Sequence, residues 1–172
     1  MDKPPSHLEK ILKVTERGDT FMSGQIVCEC GCKTFRIIYF GEGYPPHCIG
    51  VNEYNGKYAL IVRAVCCGCG KEWELFDFAR HAYDGLLGGD GVSVPDKELV
   101  DAVAGEEQDF EIGMAIEFDD EEQFVEEVVN NPLDDMRFTP DDRFNIWSWI
   151  VIDLRCAKSG KELKGFVDDE LA

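Results

Sequence analysis

Six of the eight cysteines fall into two tight clusters, Cys28-Glu29-Cys30-Gly31-Cys32 and Cys66-Cys67-Gly68-Cys69-Gly70. Thiolates bunched in this way suit a single metal ion: zinc takes four sulfurs in a tetrahedron at about 2.3 Å, and iron accepts the same donors. In the second cluster Cys66 and Cys69 have the Cys-x-x-Cys spacing of a tight metal-binding turn, or knuckle, and Gly70 is placed to let the backbone curl beneath the ion. The first cluster departs from that spacing. Cys30-Gly31 reads as the second half of such a knuckle, but the position three residues before Cys30 is Val27. Cys28 and Cys30 are therefore expected to bind together from a tightened Cys-x-Cys turn. Cys32 stands in reserve as partner to either, and is otherwise expected to point off the far side of the emerging strand. The predicted ligand set is Cys28, Cys30, Cys66 and Cys69.

Other chemistries fit these residues less well. Residues 1–18 contain no continuous apolar run and carry Glu9 and Glu16, so no export signal is expected. The expected compartment is then the cytoplasm, where thiols stay reduced and clustered cysteines bind metal rather than form disulfides. A redox Cys-x-x-Cys normally opens a helix, whereas Cys69 is followed by the strand-like run Glu72 to Phe78. Hydrolytic zinc sites need His or carboxylate ligands with one position open, and this chain has three scattered histidines. His47-Cys48, in a loop, is a further ligand candidate, and His81 with Asp84 is a candidate polar pair. The glycine-rich run from Gly85 to Gly91 lacks the strand–helix context of a nucleotide loop. No catalytic residue is assigned.

The elements that must carry the cysteines are mostly strands. Lys33 to Phe40 is β-rich, Val51 to Val65 reads as a hairpin turning on Asn55-Gly56, and Glu72 to Phe78 alternates as a strand should. Together the two clusters and their hairpins resemble a zinc ribbon of the rubredoxin-like kind over roughly residues 25–78. The resemblance implies two knuckles on two hairpins with one metal between them, and it implies no activity, since zinc ribbons serve many functions.

Around that unit, Leu8, Ile11 and Leu12 follow a capping-box signal, and the spacing predicts a short amphipathic helix over 7–17 that stops at Gly18. Residues 79–95 read as loop with a helical turn near Arg80 to Tyr83. Residues 96–104 read as a helix with Leu99, Val100 and Val103 on one face. Phe110, Ile112, Met114, Ile116 and Phe118 alternate with polar or small residues, which is a strand with one face buried. Asp119-Asp120 caps a helix over 121–129, and Thr139-Pro140 opens a turn. Phe144 to Cys156 reads as a central strand with both faces apolar, and Phe166-Val167 as a last short strand.

The end of the chain echoes the second knuckle. With an offset of 90, Cys66 falls on Cys156, Cys69 on Ser159, and Gly70-Lys71-Glu72 on Gly160-Lys161-Glu162. This predicts a hairpin turning near residues 157–161, with Cys156 off the metal because serine is a poor ligand.

The 172 residues are 44% hydrophobic and 11% aromatic, enough for a packed core despite 30% charged residues. No apolar run reaches the roughly 18 residues of a membrane helix. Of the net charge of −18, residues 96–142 hold −16, with 2 basic and 18 acidic side chains. Such a block repels phosphates, so no nucleic-acid binding is expected, while a basic protein partner would be steered towards it. The expected fold class is α+β, mainly antiparallel β, with a zinc ribbon of two Cys-knuckle hairpins and a few short helices. Residues 1–95 form an N-terminal helix plus ribbon and 96–172 an acidic α+β region packed on it, unless the whole of 1–172 is one domain. The expected function is that of a cytoplasmic, non-enzymatic interaction or scaffold protein with structural zinc. The alternatives are a rubredoxin-like iron electron carrier and an acidic protein that binds a partner or mimics nucleic acid.

Overall fold

The computed structural model describes residues 4–43, 48–102, 109–130 and 136–171. Among them, nine strands form one antiparallel sheet: β1 (Leu12–Arg17), β2 (Phe21–Ile26), β3 (Phe35–Phe40), β6 (Ile61–Cys66), β7 (Glu72–Asp77), β8 (Val100–Asp101), β9 (Phe110–Glu117), β10 (Trp149–Cys156) and β11 (Glu162–Glu170). The hairpin β4 (Asn52–Tyr54) and β5 (Lys57–Ala59) stands apart as a two-stranded sheet. It turns on Asn55 at φ 55° and Gly56 at φ 77°, the positive pair that a type I′ turn requires.

The hub is β9. One edge pairs with β10 along its whole length, and the other is shared between β2 and the start of β3, through Phe35 opposite Phe110. Phe110, Ile112, Met114 and Ile116 are buried and the residues between them are not, as their alternation predicts. β10 is central, between β9 and β11, but only one of its faces is covered. Ile150, Ile152, Leu154 and Cys156 point inward, while Trp149, Asp153 and Arg155 are exposed. The strand starts at Trp149 because Pro140–Asn145 forms a 3-10 turn closed by a Thr139–Asp142 capping box, and Trp147 is wholly buried beyond it. β11 runs nine residues, longer than the two-residue core of Phe166 and Val167 suggested, because it carries a bulge at Gly165 (φ 58°) and stays paired past it.

The expected helix over 7–17 does not form. Leu8, Ile11 and Leu12 are all buried, but one turn suffices: Leu12 N–H donates to the Leu8 carbonyl at 2.8 Å, and then the chain extends. From Lys13 the β-branched Val14 and Thr15 disfavour helix, and pairing with β2 satisfies the backbone instead. The helix over 96–104 is likewise replaced by a 3-10 turn at Asp96–Glu98 and by β8, which pairs with Ile38 and Tyr39 on the open edge of β3. Residues 103 and 104 of that expectation lie outside the described residues. Short helices α1 (Phe78–His81) and α2 (Tyr83–Leu86) follow β7, and α3 (Glu121–Phe124) continues into a wider turn through Val129. Asp120 caps α3 by accepting from Gln123 N–H at 2.9 Å, and Phe124 and Val128 pack into a small cluster with Leu87 and Ile146.

The echo is realised as geometry. Cys66 N–H donates to Lys71 O at 2.9 Å and Gly70 N–H to Cys66 O at 2.8 Å; Cys156 N–H donates to Lys161 O at 2.8 Å and Gly160 N–H to Cys156 O at 2.8 Å. Gly70 and Gly160 sit at φ 73° and φ 72°. Beyond the turns, Cys67 N–H reaches Thr34 O at 3.0 Å and Ala157 N–H reaches Asp109 O at 2.9 Å. The correspondence extends to the preceding strand: Cys66 lies opposite Phe35, and Cys156 opposite Phe110. Two three-stranded units, β3-β6-β7 and β9-β10-β11, therefore meet where Phe35 pairs with Phe110.

Candidate metal centre

The first knuckle is the loop that leads into β3. Gly31 N–H donates to Cys28 O at 2.8 Å, three residues back, and Gly31 takes φ 86°. In the second knuckle the equivalent bond spans four residues, from Gly70 to Cys66. One residue fewer in the turn is what a Cys-x-Cys spacing demands, and the backbone supplies it. β3 and β6 pair side by side from Phe35 opposite Cys66, so the two knuckles emerge at the same end of the sheet.

There the Sγ atoms of Cys28, Cys30, Cys66 and Cys69 all lie within 4.8 Å of one another. Cys28 approaches Cys69 at 3.6 Å and Cys30 approaches Cys66 at 3.5 Å. These are not disulfide separations, which are about 2.05 Å. Four thiolates at about 2.3 Å from a central ion lie roughly 3.8 Å apart along each edge of the tetrahedron. The two cross-knuckle distances are close to that value. Cys28 and Cys66 are buried, and Cys30 and Cys69 are exposed.

Burial opposes ionisation of Cys28. It is overcome by the Cys30 backbone N–H and the neighbouring thiols, which bring the Cys28 pKa down to about 6. Cys66 is pushed up by burial, against the N–H groups of Cys69 and Gly68.

The remaining cysteines fall outside the four-sulfur group, Cys32 lying beside it next to Cys66. Cys32 does not point off the far side of the strand. It is partly buried, its thiol lies 3.5 Å from Thr34 O and 3.4 Å from Thr34 Oγ1, and it packs on Gly68, where a Cβ would come within 3.0 Å of the Cys32 Cβ. Cys67 donates to Asp109 Oδ1 at 3.2 Å, and burial together with that carboxylate pushes it up to about 11, a protonated thiol. Cys156 is buried in the core, and Ser159 N–H donates to its Sγ at 3.5 Å, as the Cys69 N–H does towards Cys66 in the first copy. Cys48 is exposed near Ile49 O and Asp168 O, and His47 lies outside the described residues.

Side chains beyond the sulfurs link the knuckles. Lys71 Nζ lies 2.6 Å from Glu29 Oε2, joining the second loop to the first, and 3.9 Å above the Trp73 ring. An exposed pair of this kind is worth at most about 1 kcal/mol. The Trp73 indole N–H is the one buried side-chain N or O atom among the described residues that lacks a hydrogen-bond partner.

A second polar group escaped the sequence. His81 does not pair with Asp84. Its Nδ1 accepts from Asp77 N–H at 2.9 Å, which leaves the proton on Nε2, 4.0 Å from Glu74 Oε1. The ring stacks on His7 with centroids 4.0 Å apart and on Trp147 at 5.1 Å. Burial lowers both imidazoles, His81 well below its ordinary value and His7 to about 4. His7 and His81 are 74 positions apart with no shared motif, so no local signal could have joined them.

No protein-family model matches the chain, and neither does any curated protein or solved structure.

Proposed function

We propose that the protein is a metal-thiolate protein in which one structural zinc ion is held by Cys28, Cys30, Cys66 and Cys69, the two hairpins acting as a zinc-ribbon-like unit. The observation that carries this is the convergence of four sulfurs from two separate loops at tetrahedral spacing. Four thiolates fill the coordination shell, leaving no position for water or substrate, so the ion serves folding rather than hydrolysis. It ties residues 28–30 to residues 66–69 beyond the start of the β3–β6 ladder and the Cys67 N–H to Thr34 O bond that extends it. The reading is of a non-enzymatic interaction or scaffold protein of a reducing compartment, its acidic segment available to a basic partner. Iron would use the same four donors as a one-electron carrier.

Elemental analysis of protein purified without added metal tests this. About one zinc per chain and a colourless solution are expected. A red, iron-containing protein replaces zinc with iron, and a folded chain free of metal overturns the reading.

A further inference from the structure

The four sulfurs of the cluster are not equivalent. Cys28 and Cys66 are buried, while Cys30 and Cys69 are exposed. Each knuckle thus supplies one shielded sulfur and one open one. Two close approaches join them crosswise: Cys30 Sγ to Cys66 Sγ at 3.5 Å, and Cys69 Sγ to Cys28 Sγ at 3.6 Å. Both pairs combine an open sulfur with a shielded one, and both span the two knuckles. The turn beside each open sulfur is also unobstructed, since a Cβ at Gly31 or Gly70 would meet no atom within 4 Å. Sulfurs bound to a metal are thiolates, so in a loaded site access decides which of them a dissolved oxidant reaches. A hydroperoxide reaches Cys30 and Cys69.

We propose that the metal centre is a peroxide-operated clasp, in which oxidation exchanges the ion for two cross-knuckle disulfides, Cys30 with Cys66 and Cys69 with Cys28. The inference rests on the four-cysteine metal reading above. The open thiolate attacks one peroxide oxygen; the O–O bond breaks, the sulfur becomes a sulfenic acid and hydroxide leaves. The shielded partner then attacks that sulfur, the S–S bond forms and a second hydroxide leaves. Two electrons have passed from two sulfurs to one peroxide, and two protons from solvent convert the hydroxides to water. With two of its four donors joined to each other, the site no longer holds the ion. A second peroxide closes the other pair. Each closure brings sulfurs from 3.5 Å or 3.6 Å to about 2.05 Å. Because both links tie residues 28–30 to residues 66–69, the oxidised chain keeps its knuckles docked without the ion. A small thiol reverses the change by exchange, its own oxidation to a disulfide supplying the electrons. Cys32 and Cys67 take no part, their thiols being engaged with Thr34 and Asp109.

The test titrates the full chain, loaded with zinc, with hydrogen peroxide. A chromogenic indicator follows released zinc. Cleavage after Glu29 separates Cys28 from Cys30, and fragment-ion mass spectrometry of the linked peptides assigns the bonds. Complete zinc release is expected, with both named links, a chain about 4 Da lighter than its reduced form, an unchanged far-ultraviolet circular dichroism spectrum and renewed zinc uptake after treatment with dithiothreitol. The variant Cys32→Ser/Cys48→Ser/Cys67→Ser should release zinc and form the same links; should it fail to fold, the bonds assigned in the wild type decide. Zinc retained while Cys48 or Cys67 is oxidised overturns the clasp and leaves the metal site standing. So does zinc released with bonds inside one knuckle, bonds to Cys32, or sulfonic acids in place of disulfides. A wild-type chain that takes up no zinc overturns both readings.

Discussion

The twin turns at Gly70 and Gly160 provide a matched pair for asking what the ion does. Both glycines are left-handed, at φ 73° and φ 72°, and an added Cβ at either meets no atom within 4 Å. Alanine at each site thus carries backbone strain and no collision. Left-handed backbone costs an L-residue roughly 1–2 kcal/mol. Against this, alanine restricts the unfolded chain and recovers about 0.4–1 kcal/mol. The net loss is about 1 kcal/mol at either position, and urea unfolding of the loaded protein should register it for both variants. The ion separates them. On the metal reading, strain at Gly70 lies inside the knuckle that the ion would hold in place, so relaxation of that turn in the ion-free chain would charge the strain to metal binding. Gly70→Ala should therefore weaken cobalt affinity roughly fivefold, the equivalent of about 1 kcal/mol. Gly160→Ala, in a hairpin that carries no ion, should leave affinity unchanged within about twofold. Competition titration against a chromogenic chelator measures both. Equal loss of affinity in the two variants would refute the claim that the metal acts locally on the first copy.

The other predictions concern individual side chains. Cys28→Ser should abolish stoichiometric zinc, whereas Cys32→Ser, whose thiol is engaged with Thr34, should retain it. Loss of metal from the Cys32 variant alone, measured by elemental analysis, would reverse the assignment. His7 is neutral when folded, with its pKa lowered from 6.5 to about 4 by burial, so the unfolded chain binds the proton first as pH falls. The stability it permits is complete above 6.5 and is lost progressively between there and about 4, up to about 3 kcal/mol. His7→Phe should flatten that part of a stability–pH curve measured by urea unfolding, and an unaltered slope would show that the stacked imidazole does not titrate as its burial requires.

What the sequence revealed tracks how local each signal is. The second knuckle, the Asn55-Gly56 turn and the alternation through Phe110 to Phe118 depend on neighbours within a few residues, and each appears where it was read. The shortened turn at Cys28 was legible too, because Gly31 marks where the backbone must reverse. Helical spacing at Leu8, Ile11 and Leu12 was a true signal of burial but a false one of length, since a single turn buries all three. β8 is two residues long and exists because β3 offers an unpaired edge, a fact residing in β3 and not in Val100 or Asp101. Cys32 was misplaced because its neighbour is Gly68, which only the docking of one knuckle on the other supplies. The His7–His81–Trp147 stack draws on three distant parts of the chain and left no trace in any one of them.

The position of β9 sets an order on how the chain can assemble. Gly24 on β2 waits for Met114, ninety residues downstream, whereas the hairpins β1–β2 and β6–β7 close between near neighbours. As the chain leaves the ribosome, both knuckles are complete once β7 has emerged, well before β9 exists. Until then one edge of β2 stays open, and open edges invite pairing with other chains. An ion captured early by the cysteine cluster would give the N-terminal strands a fixed point during that interval, and β9 would then join the part already folded to the hairpin that follows it.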